Sequence, residues 1–147
     1  TVPSAANPQI IDKLTNGLKY YFAVTAKYKS GAESAYSKEV SFTPTDTLAP
    51  VKPGNFYVAQ SAISTAVVSW AANKDDTVSY KIYYGASRNA PGVVVNVAKN
   101  KCSTTVCAII IGNLNAGTTY FFSVTALDGK LNESEKIDEK AVLISAR

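Results

Sequence analysis

The stretch Leu114-Asn115-Ala116-Gly117-Thr118-Thr119-Tyr120-Phe121-Phe122-Ser123-Val124-Thr125-Ala126 has an earlier copy in this chain of 147 residues. The copy is Leu14-Thr15-Asn16-Gly17-Leu18-Lys19-Tyr20-Tyr21-Phe22-Ala23-Val24-Thr25-Ala26, displaced by 100 residues without a gap. The same displacement sets Ile10-Ile11 on Ile110-Ile111. A period that long means a domain-sized unit used twice. In each copy a glycine, Gly17 or Gly117, marks a turn, and an alternation follows it. Tyr120, Phe122, Val124 and Ala126 fall on one side, with Phe121, Ser123 and Thr125 on the other. That is the period of a half-buried β-strand.

The pattern Leu-x-x-Gly-x-x-Tyr-x-Phe-x-Val-x-Ala resembles strand F of a fibronectin type III domain, tyrosine corner included. In that corner a Tyr near the start of strand F returns its hydroxyl to backbone a few residues upstream. Tyr20 and Tyr120 take this structural role on the resemblance. The fold it implies is an all-β, immunoglobulin-like sandwich of seven strands, present here as one complete domain plus a C-terminal half-domain. In the first copy, Thr1 to Asn7 is polar and Pro-punctuated, as a loop is. Gln9 to Leu14 then reads as strand E, Tyr20 to about Lys29 as F, and Ser37 to Thr43 as G. The second copy has 66 residues ahead of Leu114, whereas the first has 13 ahead of Leu14, so A, B, C and C′ are missing there.

Residues 1–47 therefore read as a partial domain and residues 48–147 as a complete one. Three prolines between Pro44 and Pro53 make the junction extended and semi-rigid. Its Asp-Thr-x-Ala-Pro-x-x-Pro run resembles junctions between tandem bacterial modules of the family. In the second copy Asn55 to Gln60 reads as strand A, and Thr65 to Trp70 as B with Ala66, Val68 and Trp70 inward. Trp70 resembles the buried B-strand Trp of the family. Val78 to Tyr84 reads as C, Val93 to Ala98 as C′, Thr105 to Ile111 as E, Thr119 to Leu127 as F and Lys140 to Ala146 as G. Ahead of Asn132-Glu133-Ser134, Leu131 stands where bacterial members usually carry Gly.

Hydrophobic residues make up 46% and charged residues 18%, a globular β-type composition. The net charge of +4 comes from scattered lysines, without the basic, aromatic-interleaved stripe that nucleic acid requires. No apolar run reaches the ~18 residues of a membrane helix, so no membrane insertion is expected. No signal peptide is present either, so the chain reads as mature or as a fragment. His is absent, which removes Ser-His-Asp and Cys-His catalysis, and two Cys alone make no structural zinc site. Carboxylates gather in turns such as Asp75-Asp76 and Glu133 to Glu139. Asp128 to Glu139 has EF-hand length, but Lys130 occupies a ligand position and Glu133 replaces the required Gly. Neither metal, cofactor nor catalytic site is expected.

Cys102 and Cys107 flank the C′–E junction at a spacing compatible with a hairpin-like disulfide, the alternative being two unrelated thiols. An even count in a secreted-looking module favours the bond. Outward alternation gives Tyr83 and Phe121 a shared place on the C′-C-F-G sheet, repeated in the first copy at Tyr21. These three form a candidate contact surface, though cross-strand packing is the commoner use of such aromatics.

The expected role is a non-catalytic, extracellular or cell-surface module of a bacterial protein. Its first protein partner would be the segment supplying A, B, C and C′ of the half-domain, and a chain written from inside a domain tilts that expectation toward a separate polypeptide. Two alternatives stand beside this: a filament subunit self-associating by strand complementation, and an accessory domain of a secreted polysaccharide-degrading enzyme.

Overall fold

The computed structural model describes residues 8–146, so the loop read at Thr1 to Asn7 lies outside them. Contacts divide the chain into two compact units, with the boundary between Asp46 and Thr47.

In the first unit, β1 (Tyr20–Phe22) pairs antiparallel with β2 (Val40–Phe42), Tyr20 opposite Phe42 and Phe22 opposite Val40. The strand E expected from Gln9 to Leu14 is not formed, and Ile10 is 80% exposed. Strand E borrows its ladder from strand B, and a strand without a partner has nowhere to place its backbone donors. Strands F and G are also shorter than expected. Beyond Phe22, serine hydroxyls take over part of the ladder. Ser37 Oγ accepts the Val24 amide at 3.0 Å, and Ser34 Oγ accepts the Ala26 amide at 2.9 Å. A bridge between Lys27 and Glu33 closes the end of this irregular hairpin.

The second unit is a sandwich of two antiparallel sheets. Its strands are β3 (Tyr57–Ala62), β4 (Thr65–Ala71), β5 (Ser79–Gly85), β6 (Val93–Ala98), β7 (Val106–Ile111), β8 (Thr119–Leu127) and β9 (Lys140–Leu143). One sheet has the order β3-β4-β7 and the other β6-β5-β8-β9. They correspond to strands A, B, C, C′, E, F and G in chain order. β4 buries alternate residues, so Ala66, Val68 and Trp70 face the core as the pattern requires. Tyr80, Ile82, Phe122, Val124 and Ala126 meet them from the opposite sheet, all fully buried.

Trp70 packs edge-on against Tyr80 at 5.2 Å between ring centroids. Among the described residues, the Trp70 indole N–H is the buried side-chain donor without a partner. Strand A begins later than expected because Asn55 adopts φ 50, while Phe56 turns into the core. Strand G ends at Leu143 because Ile144 drops into the core, donating its N–H to Thr118 and accepting from Gly117.

Candidate functional site

Register decides what the four-stranded sheet shows to the outside. Lys81 lies opposite Thr125, Tyr83 opposite Ser123, and Gly85 opposite Phe121. Tyr83 and Phe121 are thus diagonal neighbours on one face. The connection from β8 to β9 folds back over it, starting with a turn built on Asp128. That carboxylate accepts the amides of Lys130 at 2.8 Å and Asn132 at 2.9 Å, and the Asn132 side-chain amide at 2.7 Å. Burial alone would raise the Asp128 pKa, but these bonds outweigh it and hold the group below its usual range.

The turn delivers Glu133 to the sheet. Its carboxylate accepts the Lys81 ammonium at 2.7 Å, the Thr125 hydroxyl at 2.7 Å, and the Tyr83 hydroxyl. Burial again works upward, and the three donors from Lys81, Tyr83 and Thr125 hold Glu133 below the ordinary glutamate value. Lys81 is raised, first by its bond to Glu133. Tyr83 is raised by burial and then by the same carboxylate. Beneath this cluster Ser123 and Thr125, although on the outward face, are 3% and 1% exposed. A carboxylate kept ionised by three donors fastens a loop; it does not hold the proton a general acid needs at neutral pH. The cluster is a structural clasp.

Each aromatic of the candidate contact surface sits under a cation. The Lys136 ammonium is 4.0 Å from the Tyr83 ring centroid, Arg88 is 5.2 Å from Phe121, and Lys19 is 5.2 Å from Tyr21. Tyr83 and Phe121 are half-buried, whereas Tyr21 is 59% exposed. In the second unit the two rings are thus capped rather than open platforms, whereas Tyr21 in the first unit keeps most of its ring exposed. Sequence reasoning missed Glu133 as the residue organising this face. The outward placement of Lys81 and Tyr83 was the available signal, but their partner lies 52 and 50 residues away.

At the other end of β8, the Tyr120 hydroxyl accepts the Asn115 amide at 3.1 Å, and in the first unit Tyr20 accepts the Thr15 amide at 2.9 Å. Gly117 and Gly17 make these turns at φ 76 and φ 80, which glycine adopts without strain. Cys102 and Cys107 form a disulfide that pins the crossing from β6 to β7, and Cys107, opposite Trp70, is fully buried. Ser103 Oγ supports the same turn by accepting the Val106 amide at 2.9 Å. In the chain-entropy account so short a loop contributes about 2 kcal/mol.

Residues 51–140 match the fibronectin type III domain model. The chain belongs to that family. Among relatives, endoglucanase B of Cellulomonas fimi is 33% identical over 91% of this chain, and chitinase A1 of Niallia circulans is 31% identical over 92%. The chain spans 12% and 19% of the lengths of those two enzymes. Solved structures share the fold at low identity. The fibronectin type III domain of human collagen alpha-1(XX) covers 70% of this chain, at 92% of its own length, with TM-score 0.55 and 20% identity. Domains d3-d4 of the rat CD45 extracellular region cover 96% of the chain, at 73% of their own length, with TM-score 0.56 and 18% identity.

Proposed function

We propose that this chain is a non-catalytic fibronectin type III segment of an extracellular bacterial polysaccharide-degrading protein, where it acts as spacer and interaction surface. One observation carries the reading. Two polysaccharide hydrolases match almost the whole chain, both copies included, yet the match takes up only 12% and 19% of each. A segment of that size beside a much larger remainder leaves the chemistry to other parts of the protein. The Cys102–Cys107 disulfide supports an oxidising, extracellular setting. The side chains with displaced pKa values at Asp75, Asp128 and Glu133 are consumed in turn and loop bonds, which supports a structural role.

The first unit is completed, on this reading, by strands A, B, C and C′ from another polypeptide segment. Val24, Val40 and Phe42 are 71%, 63% and 58% exposed, and leaving such side chains uncovered forgoes ~1.5–3 kcal/mol each. A filament held by strand complementation would use the same face, but no separate observation favours it.

Pure protein incubated with carboxymethyl cellulose and colloidal chitin should release no reducing sugar. Turnover that disappears on a single carboxylate substitution would overturn the non-catalytic assignment. Light scattering over a range of concentrations should give a constant mass, whereas open-ended growth would replace this reading with the filament.

A further inference from the structure

The two copies share more than a sequence pattern. At the displacement of 100 residues their turn and hairpin bonds coincide, except that Pro44 has no N–H to match the bond from Ile144 to Thr118. Gly17 donates to Pro44 as Gly117 does to Ile144, and Ser34 donates to Ala26 as Ser134 does to Ala126. Ser37 donates to Val24 as Ile137 does to Val124. The serine side chains follow suit, Ser34 Oγ accepting from Ala26 and Ser134 Oγ from Ala126, both at 2.9 Å. The bridge from Lys27 to Glu33 repeats that from Leu127 to Glu133. Thr25 and Glu33 therefore occupy the backbone positions of Thr125 and Glu133, two of the four members of the clasp. The other two, Lys81 and Tyr83, belong to β5, and the described residues of the first unit hold no counterpart of that strand.

We propose that the strand completing the first unit carries a lysine or arginine and a tyrosine at two successive outward positions, and that Glu33 receives both. The proposal rests on the reading that strands from outside residues 1–47 complete this unit. The occupant is a strand antiparallel to β1, apolar toward Phe22 and Val24, with a cation set over Thr25 and Glu33. Charge complementarity favours it: Glu33 is an exposed carboxylate whose counterpart in the second copy is already paired with a lysine. A strand with acidic outward residues would place like charges together on this face.

The test replaces residues 1–7 of the chain with a supply of strands whose structure is known. Residues 53–107 are duplicated and joined to Pro8, the counterpart of Ala108, so that the register of the second copy is kept. Val24 and Ala26 already bond toward β2, so amide exchange at Ala23 and Thr25, whose backbone faces the incoming strand, should slow by at least about 100-fold as a buried ladder forms. Glu33→Gln and Lys81→Met in the duplicated segment should each reduce that protection by about 2- to 5-fold, and the double variant by no more than either alone. Protection that is gained yet indifferent to both changes would overturn the Glu33 proposal and leave the completion reading standing. A second hybrid with Phe42→Val and Pro44→Ile restores the core residues native to the duplicated strands. Absence of protection in that hybrid also would overturn the completion reading and, with it, this proposal.

Discussion

Residues 13–44 and residues 113–144 are two folds of one backbone plan under different burial. Lys13 and Asn113 have φ 57 and φ 58, Gly17 and Gly117 have φ 80 and φ 76, and the turn and hairpin bonds coincide. Side chains at equal places nevertheless differ. Val124 is fully buried and Val24 is 71% exposed; Phe122 is fully buried and Phe22 half-buried. Local bonding follows from turn residues and serine hydroxyls close in sequence, whereas burial needs a second sheet, which among the described residues only the second copy has. The comparison separates what a hairpin supplies by itself from what a sandwich adds.

The largest effect should come from the core position the copies share. Phe122→Ala removes a ring that stacks on Tyr84 at 5.4 Å and should cost about 3–5 kcal/mol. Phe22→Ala in the same chain should cost less than about 1 kcal/mol, the range of substitutions that leave no cavity. Trp70, the one Trp of the sequence, makes its fluorescence in urea a reporter of the second domain, and amide exchange near Phe22 reports the first. Equal losses at the two positions would break the comparison, because they would mean that both faces are covered.

The corner tyrosines test the opposite expectation, that a local bond behaves alike in both copies until burial amplifies it. Tyr120→Phe deletes the acceptor of the Asn115 amide and should cost on the order of 1 kcal/mol in urea unfolding. Tyr20→Phe should leave the exchange of the first unit unchanged, since water replaces the hydroxyl at the exposed Thr15 amide. A Tyr120→Phe protein as stable as its parent would remove the structural role given to the corner.

Much of this was legible in the sequence because it is local. The copies, the strands β4, β6 and β8, and the inward triplet Ala66, Val68 and Trp70 follow from alternation and turn residues. Strand E of the first copy was not legible: Gln9 to Leu14 has the pattern, but a pattern does not supply a ladder. The clasp at Glu133 escaped for a related reason. Its members lie on β5, on β8 and in the connection after β8, and only the sheet register brings them together. The cations over Tyr83 and Phe121 likewise come from loops, at Lys136 and Arg88, where no periodicity constrains position.

Acid titration sharpens the contrast between a copy that has strand C and one whose described residues hold no counterpart of it. Glu133 has a folded pKa below its ordinary value of 4.5, so its contribution is fully present above that value and is lost as pH falls through the lower, folded one. Asp75 and Asp128 are depressed as well and act in the same direction. Glu133→Gln should therefore flatten, without abolishing, the loss of stability below about pH 4.5. Its side chain and that of Lys81 are each 29% exposed, which limits the effect to about 0.5–1 kcal/mol, less in high salt. Lys81→Met removes the cation, for which the described residues of the first copy hold no counterpart, and should flatten the same limb. An acid limb steeper in either variant than in the parent would show that Glu133 does not fasten the loop.

The last effect concerns the turn ahead of the clasp, where Gly31 of the first copy stands opposite Leu131 of the second. Gly31 takes φ 88, and Leu131 takes φ 67 at the matching place. An L side chain in that region costs roughly 1–2 kcal/mol, while glycine loses roughly 0.4–1 kcal/mol more chain entropy on folding than a substituted residue. Leu131 is 77% exposed, so removing its side chain leaves no cavity to offset the gain. The turn bonds are also longer in the second copy: Gly31 and Tyr28 donate to Tyr28 and Ala32 at 2.9 and 2.8 Å, whereas Leu131 and Asp128 donate to Asp128 and Asn132 at 3.2 Å each. Leu131→Gly should raise the urea midpoint of the second domain by an amount equivalent to about 0.5–1 kcal/mol. Gly31→Leu meets nothing within 4 Å of the added Cβ, so any loosening of the first turn would come from its backbone alone. A Leu131→Gly protein less stable than the parent would mean that the exposed leucine makes a contact worth more than its strain, and the two turns would then no longer be equivalent.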